Sequence, residues 1–286
     1  SFLMLDTRDA EGPAPKDAAA FCQSVARLAG LAFERINAVA LDERNRRLEA
    51  DLEAARRAQE MLSPPTRGRF GRIDYHYESL PGRIVAGDLF DIFPLPDERA
   101  AFFLGDVSGK GVGAAMLMAA CQSQLRTHLL SGASLADAMS AANADLHARS
   151  ESSRFVTMLA GVLDAEAGAV ELVDAGHGLC VLASADAGAI RIETTPGFPL
   201  GVVERADYEA SRIAWPAGSA LVLFSDGAVE QPDGDGRPFG IERVLASVAA
   251  ANAAQHAVEQ LLRDVQAHAA GPLADDLTAA SITATP

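Results

Sequence analysis

Cysteine is scarce in this 286-residue chain, and its three copies, Cys22, Cys121 and Cys180, lie far apart with no C-x-x-C pair among them. That excludes a disulfide framework or a zinc knuckle as the organising device and makes a reducing cytoplasm the simplest setting. Lysine is scarcer still: Lys16 and Lys110 are the two lysines among 24 basic residues, and 39 acidic residues outnumber those, for a formal charge of -15. That sign disfavours broad contacts with nucleic acid or an anionic membrane surface, since both depend on cationic side chains against phosphate. No apolar run approaches the ~18 to 20 residues of a membrane span. What remains, 49% hydrophobic and 22% charged residues, reads as a soluble globular protein of one large or two modest domains.

The chain opens on "SFLMLDT", which reads as a strand met partway and is expected to be a cut end. Residues 17 to 62 contain no proline and repeat at alternating steps of three and four. Ala38, Leu41, Asn45, Leu48, Leu52, Ala55, Gln59 and Leu62 share one seam, and Asn45 is a polar residue of the kind that fixes register. The expectation is a dimerising coiled-coil helix, against the alternative of a single helix docked on its own domain. Tandem prolines in "SPPTRG" stop it. Beyond them, "IDYHYESL" alternates as a half-buried strand, while "AAFFLGD" and "ALVLFSDG" are continuous apolar runs of fully buried strands. Helices are expected at about 112 to 130, 134 to 149, 240 to 253 and 255 to 269, with a last strand in "LTAASIT". Strands in runs with grouped helices give an α+β domain of mostly antiparallel sheets.

The stretch "GDVSGKGVGAAM" at 105 to 116 looks like a phosphate cradle. A P-loop needs four residues between its glycines and a hydroxyl after the lysine; here three residues separate Gly105 from Gly109, and Gly111 follows Lys110. Gly109, Gly111 and Ala114 fit a dinucleotide fingerprint, but helix follows helix where a second strand is needed. The acids at strand ends carry more. Asp106 closes "AAFFLGD", Asp226 closes "LVLFSD", Asp88 follows "RIVAG", and Asp275 with Asp276 opens the final strand. Each alone reads as an ordinary turn acid. Were they to converge, carboxylates about 5 Å apart would repel by roughly 3 kcal/mol per pair at an effective dielectric of about 20. Oxygen donors of this kind favour a hard, water-rich ion such as magnesium or manganese.

Over about residues 70 to 286 the sequence resembles the metal-dependent serine/threonine phosphatases of the protein phosphatase 2C (PPM) type, in their SpoIIE/RsbU-like branch. The resemblance is carried by "VAGDLFD" (85 to 91), "GDVSGKG" (105 to 111), "AGHG" (175 to 178), "PLG" (199 to 201), "FSDGAVE" (224 to 230), "FG" (239 and 240) and "DDLT" (275 to 278). It implies a four-layer α/β/β/α sandwich of two antiparallel sheets flanked by helices. It also implies two Mn²⁺ or Mg²⁺ ions, with Asp106 bridging them, the Val107 carbonyl on one, Asp226 and Asp275 on the other, and Asp88 acting largely through water. By the same resemblance Asp276 stands beside the ligands, Arg83 is a phosphate-binding candidate, and His177 orients a turn near the cleft. The chain departs from the family where Val85-Ala86-Gly87-Asp88 replaces V-G-G-D, and where Ser108 occupies the place of an animal-type histidine, which leaves the proton source open.

The domain expectation is then 1–16 as the remnant of a GAF-like sensor, 17–62 as a coiled-coil linker giving a homodimer, and 66–286 as the phosphatase. The implied activity is hydrolysis of phosphoserine or phosphothreonine on a STAS-type anti-anti-sigma protein in the cytoplasm. A catalytically silent partner-switching scaffold and a two-metal hydrolase of small phosphoesters are the alternatives. His76, His128 and His147 are expected to be solvated or satisfied in the core, and Met116, Leu117, Met118 and Leu125 to form a core-facing helix stripe.

Overall fold

The computed structural model describes residues 16–82, 86–109, 111–149, 154–184, 188–251 and 256–285. Arg83, Val85, Lys110 and residues 1–15 of the expected sensor remnant at 1–16 lie outside them. By its contacts the chain divides into compact units at residues 1–52 and 53–286.

Helix α1, Ala18–Glu60, runs through the proline-free stretch and through the division between the units. Arg47 pairs with Glu43, and Arg46 with Asp42 at 3.1 Å, each one helical turn apart. No residue of α1 is fully buried, and Leu41 and Leu48 are 60% and 52% exposed.

Among the described residues of the second unit, eleven strands form two antiparallel sheets. The first holds β1 (Arg67–Phe70), β2 (Ile73–Leu80), β7 (Cys180–Ser184), β8 (Gly188–Arg191), β10 (Ala220–Phe224) and β11 (Leu277–Ala284), in the order β1-β2-β11-β10-β7-β8. The second holds β3 (Leu89–Pro94), β4 (Arg99–Val107), β5 (Val156–Asp164), β6 (Ala169–Ala175) and β9 (Ser211–Ala214), in the order β3-β4-β5-β6-β9. Helices α2 (Val112–Leu130) and α3 (Leu135–Arg149) cover the second sheet; α5 (Ile241–Ala250) and α6 (Ala257–His268) cover the first, and the short α4 (Asp226–Glu230) follows β10.

The continuous apolar runs are explained by this layering. On β4, Phe102 and Leu104 pack between the sheets, while Ala101 and Phe103 face α2 and α3. On β10, Leu221 and Leu223 point inward, while Val222 and Phe224 meet α5 and α6. A strand with cover on both faces has no polar side to alternate with. On β2, Tyr75 and Tyr77 enter the core between the sheets, whereas His76 and Glu78 belong to the opposite face by the two-residue period of a strand.

The helix stripe is corrected in part. Met118 and Leu125 are fully buried, but Met116 is 68% exposed. Two residues turn a helix by about 200°, so Met116 cannot share the face of Met118.

Candidate metal centre

Antiparallel pairing brings the acids to one end of the sandwich. Leu89 pairs with Gly105, so Asp88 at the start of β3 lies beside Asp106 at the end of β4. Phe224 pairs with Ala279, and the Ser225 N–H donates to the Thr278 carbonyl at 2.9 Å. Asp226, the first residue of α4, is thereby set beside Asp275 and Asp276, which precede β11.

The two sheets meet across this end through Asp276. Its carboxylate accepts the Gly82 N–H at 2.9 Å on one oxygen and the Gly87 N–H at 2.6 Å on the other. Gly87 is confined from a second direction. A Cβ built there would lie 2.7 Å from Asp106 Oδ1, 3.7 Å from Asp276 Oδ2 and 3.7 Å from the Val107 carbonyl oxygen. Gly227 is tighter, since a Cβ would fall 2.0 Å from the Asp276 carbonyl oxygen. The Asp-Gly pair at 226 and 227 therefore needs its glycine for close approach of two backbones. By contrast, nothing crowds Gly109 or Gly111; their φ angles of 93° and 92° explain them, by turning the chain from β4 into α2.

Electrostatics register the crowding. Burial, followed by the negative charges of Asp226, Asp275 and Asp276, raises the Asp106 carboxyl to about 7. Burial also raises Asp88 well above the ordinary carboxylate range, with Asp106 and Asp276 adding to it while the Ser225 and Thr278 hydroxyls pull the other way. Among the described residues, Asp88 Oδ2 is buried without a hydrogen-bond partner. Ser225 knits the ends of β10 and β11: its hydroxyl donates to the Asp276 carbonyl at 3.2 Å and accepts the Thr278 N–H at 3.0 Å.

These features fit hard divalent cations. The donors are carboxylate and carbonyl oxygens, one buried oxygen has no partner among the described residues, and the charges of Asp226, Asp275 and Asp276 add to the burial that raises Asp106. Among the described residues, no three of these carboxylates offer ligand atoms all within 4.8 Å of one another. That open spacing suits ions that keep several waters.

His177 stands near Asp226, and its Nε2–H donates to the Phe224 carbonyl at 3.1 Å. Burial lowers its pKa. Its turn is organised by Asp174, which accepts the His177 and Gly178 N–H groups at 2.8 and 3.1 Å and the Thr194 hydroxyl at 2.6 Å. The Ser108 hydroxyl accepts the Phe155 N–H at 2.8 Å.

The sequence reading assigned no site role to a second set of residues. Gln59, near the end of α1, donates its side-chain amide to the Ala86 carbonyl at 2.9 Å. Gln122 on α2 donates to the Leu62 carbonyl at 2.8 Å and to Asp91 Oδ2 at 3.0 Å. Asp91, 1% exposed, also takes the Arg126 guanidinium at 2.8 Å, which lies 4.5 Å from the centre of the Phe93 ring. Ser225 and Thr278 fall inside quoted motifs, so a signal for them existed. Gln59 carried only its place in the seam.

The sequence model of the stage II sporulation protein E (SpoIIE) family matches residues 96–284. Protein IcfG of Synechocystis is 23% identical over 259 residues, covering 80% of this chain and 40% of its own length. The phosphoserine phosphatase RsbP of Bacillus subtilis is 23% identical over 185 residues, 63% of this chain and 45% of that protein. The chain thus spans less than half the length of these curated relatives. Among solved structures, the RsbU and RsbW domains of a Mycobacterium tuberculosis protein match at 27% identity and a TM-score of 0.63, over 74% of this chain and 60% of that one. The SiaA PP2C domain of Pseudomonas aeruginosa matches at 17% and 0.72, over 84% and 98%. RsbX in complex with magnesium matches at 16% and 0.59, over 76% and 98%.

Proposed function

The chain belongs to the SpoIIE family, in the RsbU-like branch of PPM-type phosphatase domains, and on that footing we propose that it is a metal-dependent phosphatase of phosphoserine and phosphothreonine in proteins. The observation that carries the reading is the convergence of Asp106 from one sheet with Asp226, Asp275 and Asp276 from the other. Asp106, Asp226, Asp275, Asp88 and the Val107 carbonyl would hold two Mn²⁺ or Mg²⁺ ions, and the magnesium complex of RsbX supports that metal class. Such ions, when bound, lower the pKa of a coordinated water and stabilise charge on a transferring phosphoryl group. The remaining work falls to the protein. Asp276 fixes Gly82 and Gly87 on the approach to Asp88 by its two backbone hydrogen bonds, and the nearby Ser225 and Thr278 hydroxyls favour the charged form of the Asp88 carboxylate. His177 ties its turn to the end of β10 and leaves the direct chemistry to other groups. Arg83 would contact substrate phosphate.

The substrate we infer is a phosphorylated STAS-type partner of a partner-switching pathway, in the cytoplasm; the kinship with RsbP and with the RsbU–RsbW structure supports this. We assign residues 1–16 to an upstream sensor remnant, 17–62 to a dimerising coiled-coil linker and 66–286 to the phosphatase. Exposed Leu41 and Leu48 support the linker role. Gln59 departs from the seam, since its amide is engaged by the Ala86 carbonyl.

Manganese-dependent phosphate release from an aryl phosphate, wild type beside Asp106→Asn, tests the activity. Metal-dependent release that vanishes in the variant is expected; metal binding without release in the wild type would favour the silent scaffold. Competition of a phosphorylated STAS domain against small phosphoesters then tests the substrate, with preference for the small ester overturning it.

A further inference from the structure

A second cluster of metal-ligating groups lies away from the cleft. His76 and Glu78 on β2 meet Glu259 in the first turn of α6, with His76 Nε2 3.2 Å from Glu78 Oε1 and His76 Nδ1 3.8 Å from Glu259 Oε1. Among the described residues this is the one group of three or more whose ligand atoms all lie within 4.8 Å of one another. The His76 side chain is 6% exposed and only half satisfied: Nε2 meets Glu78, but among the described residues Nδ1 has no hydrogen-bond partner, and the same holds for the buried Oε2 of Glu259. A proton shared by the imidazole would serve Glu78, but 3.8 Å is too long for a hydrogen bond to Glu259 and leaves Oε2 orphaned.

We propose that His76, Glu78 and Glu259 form a binding site for a borderline divalent cation of the zinc type, pinning α6 to β2. Imidazole nitrogen with two carboxylates suits zinc better than magnesium. One ring nitrogen and one oxygen of each glutamate lie within 4.8 Å of one another, and side-chain closure to the ~3.4 Å spacing of ligands about 2.1 Å from a tetrahedral ion would complete a three-ligand site with one position left to water. Arg67 already holds Glu259 Oε1, which orients the carboxylate and leaves Oε2 for the ion. With two glutamates, one arginine and a neutral imidazole, the group carries one net negative charge toward a dication. The site is separate from the acidic cleft. His76 pairs with Ser281 on β11, five residues beyond Asp276, or about 17 Å along the strand.

The test is Zn²⁺ titration of the whole chain held in saturating Mg²⁺, read by calorimetry and by thermal unfolding. One Zn²⁺ equivalent is expected in the wild type and in Asp106→Asn, with a raised unfolding midpoint. His76→Gln and Glu259→Gln should each weaken it at least about 100-fold, as loss of a direct ligand exceeds the 10- to 100-fold of an outer-shell change. Zinc uptake unaltered in both variants, uptake lost in Asp106→Asn, or no uptake by the wild type at 100-fold excess would each overturn the site. Glu259→Gln lies on the helix surface side of the cluster and keeps the test valid if the buried histidine variant fails to fold.

Discussion

The amide of Gln59 donates to the carbonyl of Ala86, 27 residues further along the chain and two residues before Asp88. The last turn of α1 thus holds the backbone from which a proposed metal ligand hangs. One neutral hydrogen bond contributes about 1 kcal/mol, or roughly a fivefold effect. Gln59→Ala should therefore raise the Mn²⁺ concentration for half-maximal phosphate release about fivefold while leaving the fold intact by circular dichroism. An unchanged metal requirement would separate α1 from the site.

Gly87→Ala places a methyl 2.7 Å from Asp106 Oδ1, closer than real Cβ contacts come. The expected outcome is a folded protein whose calorimetric Mn²⁺ binding is lost or weakened by more than tenfold. Wild-type affinity in this variant would show that the loop has room to withdraw.

Asp276 uses both carboxylate oxygens on backbone N–H groups, and an amide offers one acceptor in their place. Asp276→Asn should cost about 1–3 kcal/mol in urea unfolding. Asp275→Asn is the contrasting change: its remaining Oδ1 can still accept the Asp276 N–H, so it should cost less stability than Asp276→Asn while reducing Mn²⁺ affinity. Equal stability losses would mean that the two neighbours do not divide their roles.

The metal-free protein should lose stability as pH rises. The folded Asp106 carboxyl titrates near 7, above its unfolded value of about 4, so the folded state binds more protons across that window and is penalised as pH increases through it. Melting of the chelated protein between pH 4.5 and 8 should show a falling midpoint, flattened by Asp106→Asn and reversed by added Mn²⁺. A midpoint in chelator that is flat with pH would contradict the crowding of the four acids.

Much of this was legible because burial leaves a pattern. The runs at β4 and β10 end at acids, and the glycines at 109 and 111 mark the turn into α2, so the strand ends and their carboxylates stand out one by one. Their meeting rests on pairings such as Leu89 with Gly105 and Phe224 with Ala279, which no local spacing encodes. The supports were hidden for the same reason. Gln59 looks like a seam residue until Ala86 is placed beside it, and Met116 looks like core until the 200° step from Met118 is followed around the helix. His76 hid differently, since alternation told which strand it occupies but not which helix covers it.

The 2.0 Å separation between a hypothetical Cβ at Gly227 and the Asp276 carbonyl has a wider meaning. At this point one jaw of the cleft is backbone against backbone, so no side chain placed at position 227 could widen it without moving the Asp276 carbonyl. The opposite jaw, at Gly82 and at residues 86–88, is held by Asp276 and Gln59, each replaceable in small steps. For the ion site proposed above, adaptation is therefore channelled into the backbone at residues 86–88, and libraries directed there will sample it more productively than libraries spread over the five acids.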